Sequence, residues 1–155
     1  GGQYTPVTRT PAITATLSGS AVRDAAPLTG EGKFPLVVIS HGYPGNRYLI
    51  SHLGENLASK GYVLAAIEHR DSTYDDQKAF SSTLYNRPLD QLFVLDQIAV
   101  ESANPDSFLN DLVDTENVGI VGYSMGGYGL VNNLGGGYSD DIVDHDIAPP
   151  NGLLL

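Results

Sequence analysis

The chain has 155 residues, 41% of them hydrophobic, which is enough for one domain to bury a real core. A formal net charge of −10, with three lysines, argues against nucleic acid and against anionic membrane surfaces as partners. The absence of cysteine excludes disulfides, thiol nucleophiles and cysteine-based zinc sites, and no apolar run approaches the ~18 residues of a membrane-spanning helix.

The first residue is Gly1 rather than Met, so either a leader was removed or the chain was trimmed. With the acidic, Tyr- and Thr-rich composition, this leads us to expect a secreted or periplasmic protein. Residues 1–30 carry Pro6 and Pro11, followed by Ile13, Thr14, Thr16 and Leu17 in alternation. This pattern predicts a short antiparallel strand at a sheet edge, where proline is tolerated. Ser18-Gly19-Ser20 reads as a turn and residues 25–32 as a loop. Residues 34–40 form a continuous apolar and β-branched run, the mark of a strand covered on both faces.

His41-Gly42-Tyr43-Pro44-Gly45 follows. Residues 46–60 then predict a helix, with Leu49, Leu53 and Leu57 at i, i+4, i+8 and Gly61 as its stop. Residues 62–67 predict the next buried strand, so that strand, helix and strand make a parallel crossover. Residues 71–86 are polar without clean periodicity and read as a loop. Pro88 suits the first turn of a helix whose apolar face is Leu89, Leu92, Phe93, Leu95 and Ile98, and Asn104-Pro105-Asp106 ends it. A short helix or turn over 107–112 leads into a strand at 118–121. There is no internal repeat.

That last strand runs straight into Gly122-Tyr123-Ser124-Met125-Gly126, and small residues able to start a helix follow. Strand, G-x-S-x-G and helix together are the context of a nucleophile elbow. The serine sits on a tight turn above the sheet, where a Cβ at Gly122 or Gly126 would strike neighbouring backbone. The N–H of Met125, at the helix start, then points to where an oxyanion would develop. Ser124 is therefore the candidate nucleophile.

Residues 34–72 followed by Val118 to Gly129 resemble the α/β-hydrolase fold. The resemblance is closest to the esterase branch that includes platelet-activating-factor acetylhydrolases and predicted dienelactone-hydrolase-like proteins. It implies a mostly parallel central sheet with helices on both faces. It also implies a serine ester hydrolase working through an acyl-enzyme, without cofactor or metal, on a small-molecule or polymeric ester. In such enzymes the loop after the first buried strand gives a second oxyanion N–H, here from Tyr43, with His41 and Gly42 shaping the loop. His41 precedes the nucleophile, whereas the triad order of this fold is Ser, acid, His, so His41 reads as a loop brace. Dienelactone hydrolases proper use cysteine at the elbow, and Ser124 departs from them. Amide or carbon–carbon bond hydrolysis, or a non-catalytic binding role, are the alternatives.

The remaining histidines and acids carry less. His52 reads as a surface or packing residue on its helix, and His69 as a structural histidine beside Arg70 and Asp71. Asp144-His145-Asp146 read as a solvated acidic loop rather than a metal site, and Asp146 follows the elbow too closely to be the triad acid. Tyr43, Tyr48, Tyr74, Tyr85 and Tyr123 fall near the expected carboxyl edge of the sheet. The strands that carry acid and base in the family would follow the elbow helix and are not found here. The expectation is therefore an N-terminal portion, residues 1–155, of one hydrolase domain. A second polypeptide would carry the rest, and the elbow strand would be left with an unpaired edge.

Overall fold

The structure, a computed structural model, describes residues 1–139 and Ile142. Two short strands, β1 (Gln3–Tyr4) and β2 (Leu17–Ser18), pair antiparallel in a small sheet of their own. Of the strand expected over residues 13–17 only Leu17 is in a strand, and it lies outside the main sheet. Residues 10–13 close a turn instead, with the Ile13 N–H bonded to the Thr10 carbonyl. Ser18 belongs to β2 rather than to the predicted turn.

The main sheet is β3 (Phe34–Ser40), β4 (Val63–Ala66) and β5 (Val113–Gly122), all parallel, in the order β4-β3-β5. Helix α1 (Ser51–Ala58) links β3 to β4, and α2 (Phe80–Ala103) links β4 to β5. Successive side chains of β3 alternate between the two faces. Leu36 and Val38, both essentially buried, join Leu112 and Val113 in the core, with Val94, Leu95 and Ile98 of α2 against them. Ile39 faces the other way, toward α1 at Gly54. Helices therefore cover both faces, as expected of an α/β fold.

Helix α2 begins at Phe80, so the loop before it is shorter than the polarity of residues 71–86 suggests, and Pro88 lies inside the helix rather than in its first turn. An interior proline removes one helical hydrogen bond. The turn ahead of it is held by tertiary contacts instead, because Thr83 and Arg87 are both fully buried. The buried face of α2 also differs from the predicted stripe. Leu92 and Phe93 are exposed, while Thr83, Arg87 and Gln91 turn inward.

Strand β5 is longer than residues 118–121. It pairs with Phe34 and Pro35 through Val113 and Asp114, slips register, and resumes with Val118 opposite Leu36. Asp114 closes the slip by accepting hydrogen bonds from the Glu116 N–H and the Asn117 amide. Among the described residues β5 pairs with β3 alone, and residues 116–119 along it are exposed. Helix α3 (Met125–Val131) follows the strand and continues into a π-helical turn, Asn132–Gly136. No helix among the described residues is long and apolar enough to cross a membrane.

Candidate active site

Connections from β3 and from β5 leave the carboxyl edge of the sheet side by side. The register pairs Ser40 with Gly122, so the loop that begins at His41 lies against the turn that begins at Tyr123. The Tyr123 N–H closes this contact on the Ser40 carbonyl at 3.0 Å. Adjacent strands whose connections diverge at their carboxyl ends form the crevice where α/β sheets place ligands.

Ser124 holds φ 53° and ψ −117°, a conformation that side chains rarely adopt, and it is the residue just before α3. The strain is enforced by the glycines on either side. A Cβ on Gly122 would overlap the Gly126 carbonyl, and a Cβ on Gly126 would overlap the Ser40 carbonyl. The turn can therefore be this tight only with glycine at both places, and it lifts Ser124 into solvent while Met125 and Gly126 stay buried. Among the described residues Ser124 Oγ has no hydrogen-bond partner. The N–H of Met125 opens α3 and so has no acceptor within the helix.

The facing loop is equally constrained. A Cβ on Gly42 would sit 3.0 Å from Cβ of Ser124, so the loop and the serine are in direct apposition. His41 is buried, and both of its ring nitrogens are used. Nε2 accepts the His69 N–H at 3.1 Å, which leaves the proton on Nδ1 to be donated to the Gly42 carbonyl at 2.7 Å. Burial lowers the His41 pKa to about 4, so the ring is neutral at physiological pH. With its Gly42 carbonyl turned back toward His41, the next peptide N–H, that of Tyr43, points the opposite way. The Tyr43 ring is fixed from outside, its hydroxyl on the Lys78 carbonyl and its ring perpendicular to that of Phe80.

His69 has different partners from the expected Arg70 and Asp71. Its Nδ1–H donates to Asp90 at 2.6 Å, and its Nε2 accepts the Ser40 hydroxyl at 2.9 Å. Burial lowers the pKa of His69, with the Asp90 contact opposing the shift. Ser40, His69 and Asp90 thus stand in the donor order of a catalytic triad. Exposure decides against that role, because Ser40 and His69 are 0% and 1% accessible. Ser40 is roofed by the elbow, so no ester can reach its hydroxyl, and the row is internal framework.

Helix α2 supplies the rest of that framework. Arg87 donates to the His41 carbonyl and, at 2.7 Å, to Ser72 Oγ. Gln91 donates to the Gly126 carbonyl at 2.8 Å. Burial lowers the Arg87 pKa to about 10, so the guanidinium is still charged at neutral pH. Ser40, Arg87, Asp90 and Gln91 were not singled out from the sequence. The signal available was a polar side chain at i, i+3 and i+4 on the inner stripe of an otherwise apolar helix, visible only once that stripe is known.

His52 is exposed on α1, as expected. Tyr48 stacks on Tyr4 and Tyr85 on Tyr138, so neither is free to meet a substrate with its face, whereas Tyr123 is exposed beside Ser124. The acidic stretch with Asp144, His145 and Asp146 lies outside the described residues, and among those described no group of three or more ligands could hold a metal ion.

The family described as "Platelet-activating factor acetylhydrolase, isoform II" matches residues 8–92, which include the His41 loop and end ahead of the elbow. Platelet-activating factor acetylhydrolase of Bos taurus is 33% identical over 146 residues, covering 68% of this chain and 33% of the relative. Cutinase est1 of Thermobifida alba is 31% identical over 95 residues, covering 61% of this chain and 28% of the relative. Among solved structures, the ferulic acid esterase from Streptomyces cinnamoneus superposes with a TM-score of 0.55 at 31% identity, over 68% of this chain and 34% of that one. The chain spans about a third of the length of the bovine relative. Its sheet, its loop after β3 and these likenesses agree: the chain belongs to the platelet-activating factor acetylhydrolase family of α/β-hydrolase esterases.

Proposed function

We propose that this chain supplies the nucleophile and the oxyanion hole of a carboxylic ester hydrolase. The observation that carries the reading is the exposed Ser124 at φ 53°, held by two glycines and apposed to Gly42. Ser124 Oγ attacks the ester carbonyl, and the negative charge that develops on its oxygen is met by the N–H groups of Tyr43 and Met125. Collapse of the tetrahedral intermediate expels the alcohol and leaves an acyl-enzyme, which water then hydrolyses. The bond attacked is the one shared by the relatives' named substrates: an acetyl ester, cutin and a ferulic acid ester.

Among the described residues, His41 and His69 are committed to internal hydrogen bonds and His52 is on the surface, so none of these three serves as the base for Ser124. The proposal assigns it to a histidine, oriented by an acid, in further strands that pair with the outer edge of β5. The exposed residues 116–119 on that edge support this arrangement. The second polypeptide or segment carrying those strands, and a secreted or periplasmic setting, belong to the same proposal. Hydrolysis of a p-nitrophenyl ester by the full-length protein, with and without a serine-directed organophosphonate, tests it. Ser124→Ala should leave less than about a thousandth of the rate, because loss of a triad nucleophile costs several powers of ten. A Ser124→Ala enzyme retaining a tenth of wild-type kcat would sink the assignment.

A further inference from the structure

We infer that Arg87 and Gln91, one turn apart on α2, are positioning residues that fix the two oxyanion donors relative to each other. Arg87 holds the carbonyl of His41 in the loop after β3, and Gln91 holds the carbonyl of Gly126 in the elbow. This rests on the ester-hydrolase reading above and names the residues on which the geometry of its oxyanion hole depends.

Neither side chain is explained by packing. Both are 0% accessible, in a place where aliphatic side chains would be buried without loss of hydration. Arg87 forms no ion pair among the described residues, and its Nε has no hydrogen-bond partner. Burying a guanidinium is costly; the nearby charges of Asp71 and Asp90 offset part of that cost, and its direct contacts are hydrogen bonds to the His41 carbonyl and Ser72. Holding a carbonyl also orients the N–H on the far side of the same planar peptide. Arg87 does this for the 41–42 peptide and His41 for the 42–43 peptide, which together aim the Tyr43 N–H. Asp90 lies between Arg87 and Gln91 and fixes His69, whose N–H in turn fixes His41.

On the elbow side, the Gln91 amide is fixed at both ends, donating to Gly126 and accepting from Asn133 at 3.0 Å. Gly129 allows this approach between α2 and α3. A Cβ there would lie 2.8 Å from Gln91 Nε2 and 2.9 Å from Arg87 Cγ. One short segment of α2 therefore touches both arms of the proposed hole, and neither residue can reach substrate.

The test uses the full-length protein with four variants. Gln91→Met keeps size and removes the donor, Gly129→Ala leaves both polar groups in place but presses a methyl group on Gln91 Nε2 and Arg87 Cγ, and Arg87→Lys keeps the charge and one donor, with Arg87→Met as its apolar counterpart. A shift of about 1 Å in a donor costs about 100-fold in rate. Gln91→Met and Gly129→Ala should lose kcat on that scale, with KM within about two-fold, since the affected contacts strengthen only as charge develops. Phosphonylation of Ser124 should slow in parallel while the near-UV circular dichroism stays native, and Arg87→Lys should retain more activity than Arg87→Met. Folded variants with wild-type kcat, a rise in KM alone, or a loss that merely tracks the unfolded fraction would each overturn the inference. If wild-type Ser124 were itself unreactive, the reading beneath would fail as well, and the two failures are thereby told apart.

Discussion

Replacing Gly126 with alanine is the sharpest perturbation of the elbow, because it adds one methyl group and no new chemistry. Its Cβ would overlap the Ser40 carbonyl oxygen, 2.7 Å from the carbonyl carbon and 2.9 Å from Ser40 Oγ, where ordinary contact begins at 3.4 Å. The elbow must therefore recede from the end of β3 by something on the order of 1 Å, since the obstacle is backbone and cannot rotate away. Overpacking of this kind costs ~1–3 kcal/mol of stability. The recoil carries the Met125 N–H with it and draws Gly126 away from Gln91, so kcat should fall by about 100-fold, the usual scale for a misplacement of that size. Thermal unfolding and steady-state hydrolysis of a p-nitrophenyl ester by the full-length protein measure the two effects. A Gly126→Ala protein with unchanged melting temperature and unchanged kcat would refute the close approach of elbow and strand.

Gly42→Val should lower kcat far more than it raises KM, as its Cβ would press on Ser124 at 3.0 Å and displace the adjoining Tyr43 N–H; a rise in KM alone would make the loop a substrate rim. The His41 pKa is depressed from 6.5 to about 4 on folding, so the unfolded chain binds the extra proton between those values. The neutral ring's contribution is present above about pH 6.5 and is lost as pH falls toward 4, by ~3 kcal/mol at most, with His69 acting in the same direction. Urea unfolding of wild type and His41→Gln across pH 4–7 should show a shallower acid limb in the variant, and parallel limbs would contradict the assignment. Residues 1–139 expose the outer edge of β5 at positions 116–119, so the 155-residue chain alone should self-associate and be inactive; a monodisperse, active 16.4 kDa monomer would exclude the need for further strands.

How much of this was legible depended on whether the signal was local. Strand β3 matches its expected span residue for residue, and β4 nearly so, because strands covered on both faces must be apolar throughout. The elbow was legible for a steric reason, as only glycine can occupy positions 122 and 126 against those carbonyls. Helix α2 was misread at its start because the segment Phe80–Arg87 is stabilised by polar contacts to other elements, and polarity in a sequence resembles a loop. The extension of β5 to Val113 was hidden by the polar residues of its register slip. The pairing of His69 with Asp90 and Ser40 joins three elements, and nothing in the spacing of those residues announces it.

The central claim is that the reactive serine is Ser124 and not the buried serine beside a histidine. Ser40 has the hydrogen-bonded partners of a nucleophile but no exposure, whereas Ser124 has the exposure and no partner among the described residues. Treating the full-length protein with a fluorophosphonate and mapping the modified peptide by mass spectrometry decides between them. The account predicts one phosphonyl group per chain, on Ser124, and none in the Ser124→Ala variant. Modification of Ser40, or of any residue outside the turn between β5 and α3, would contradict it.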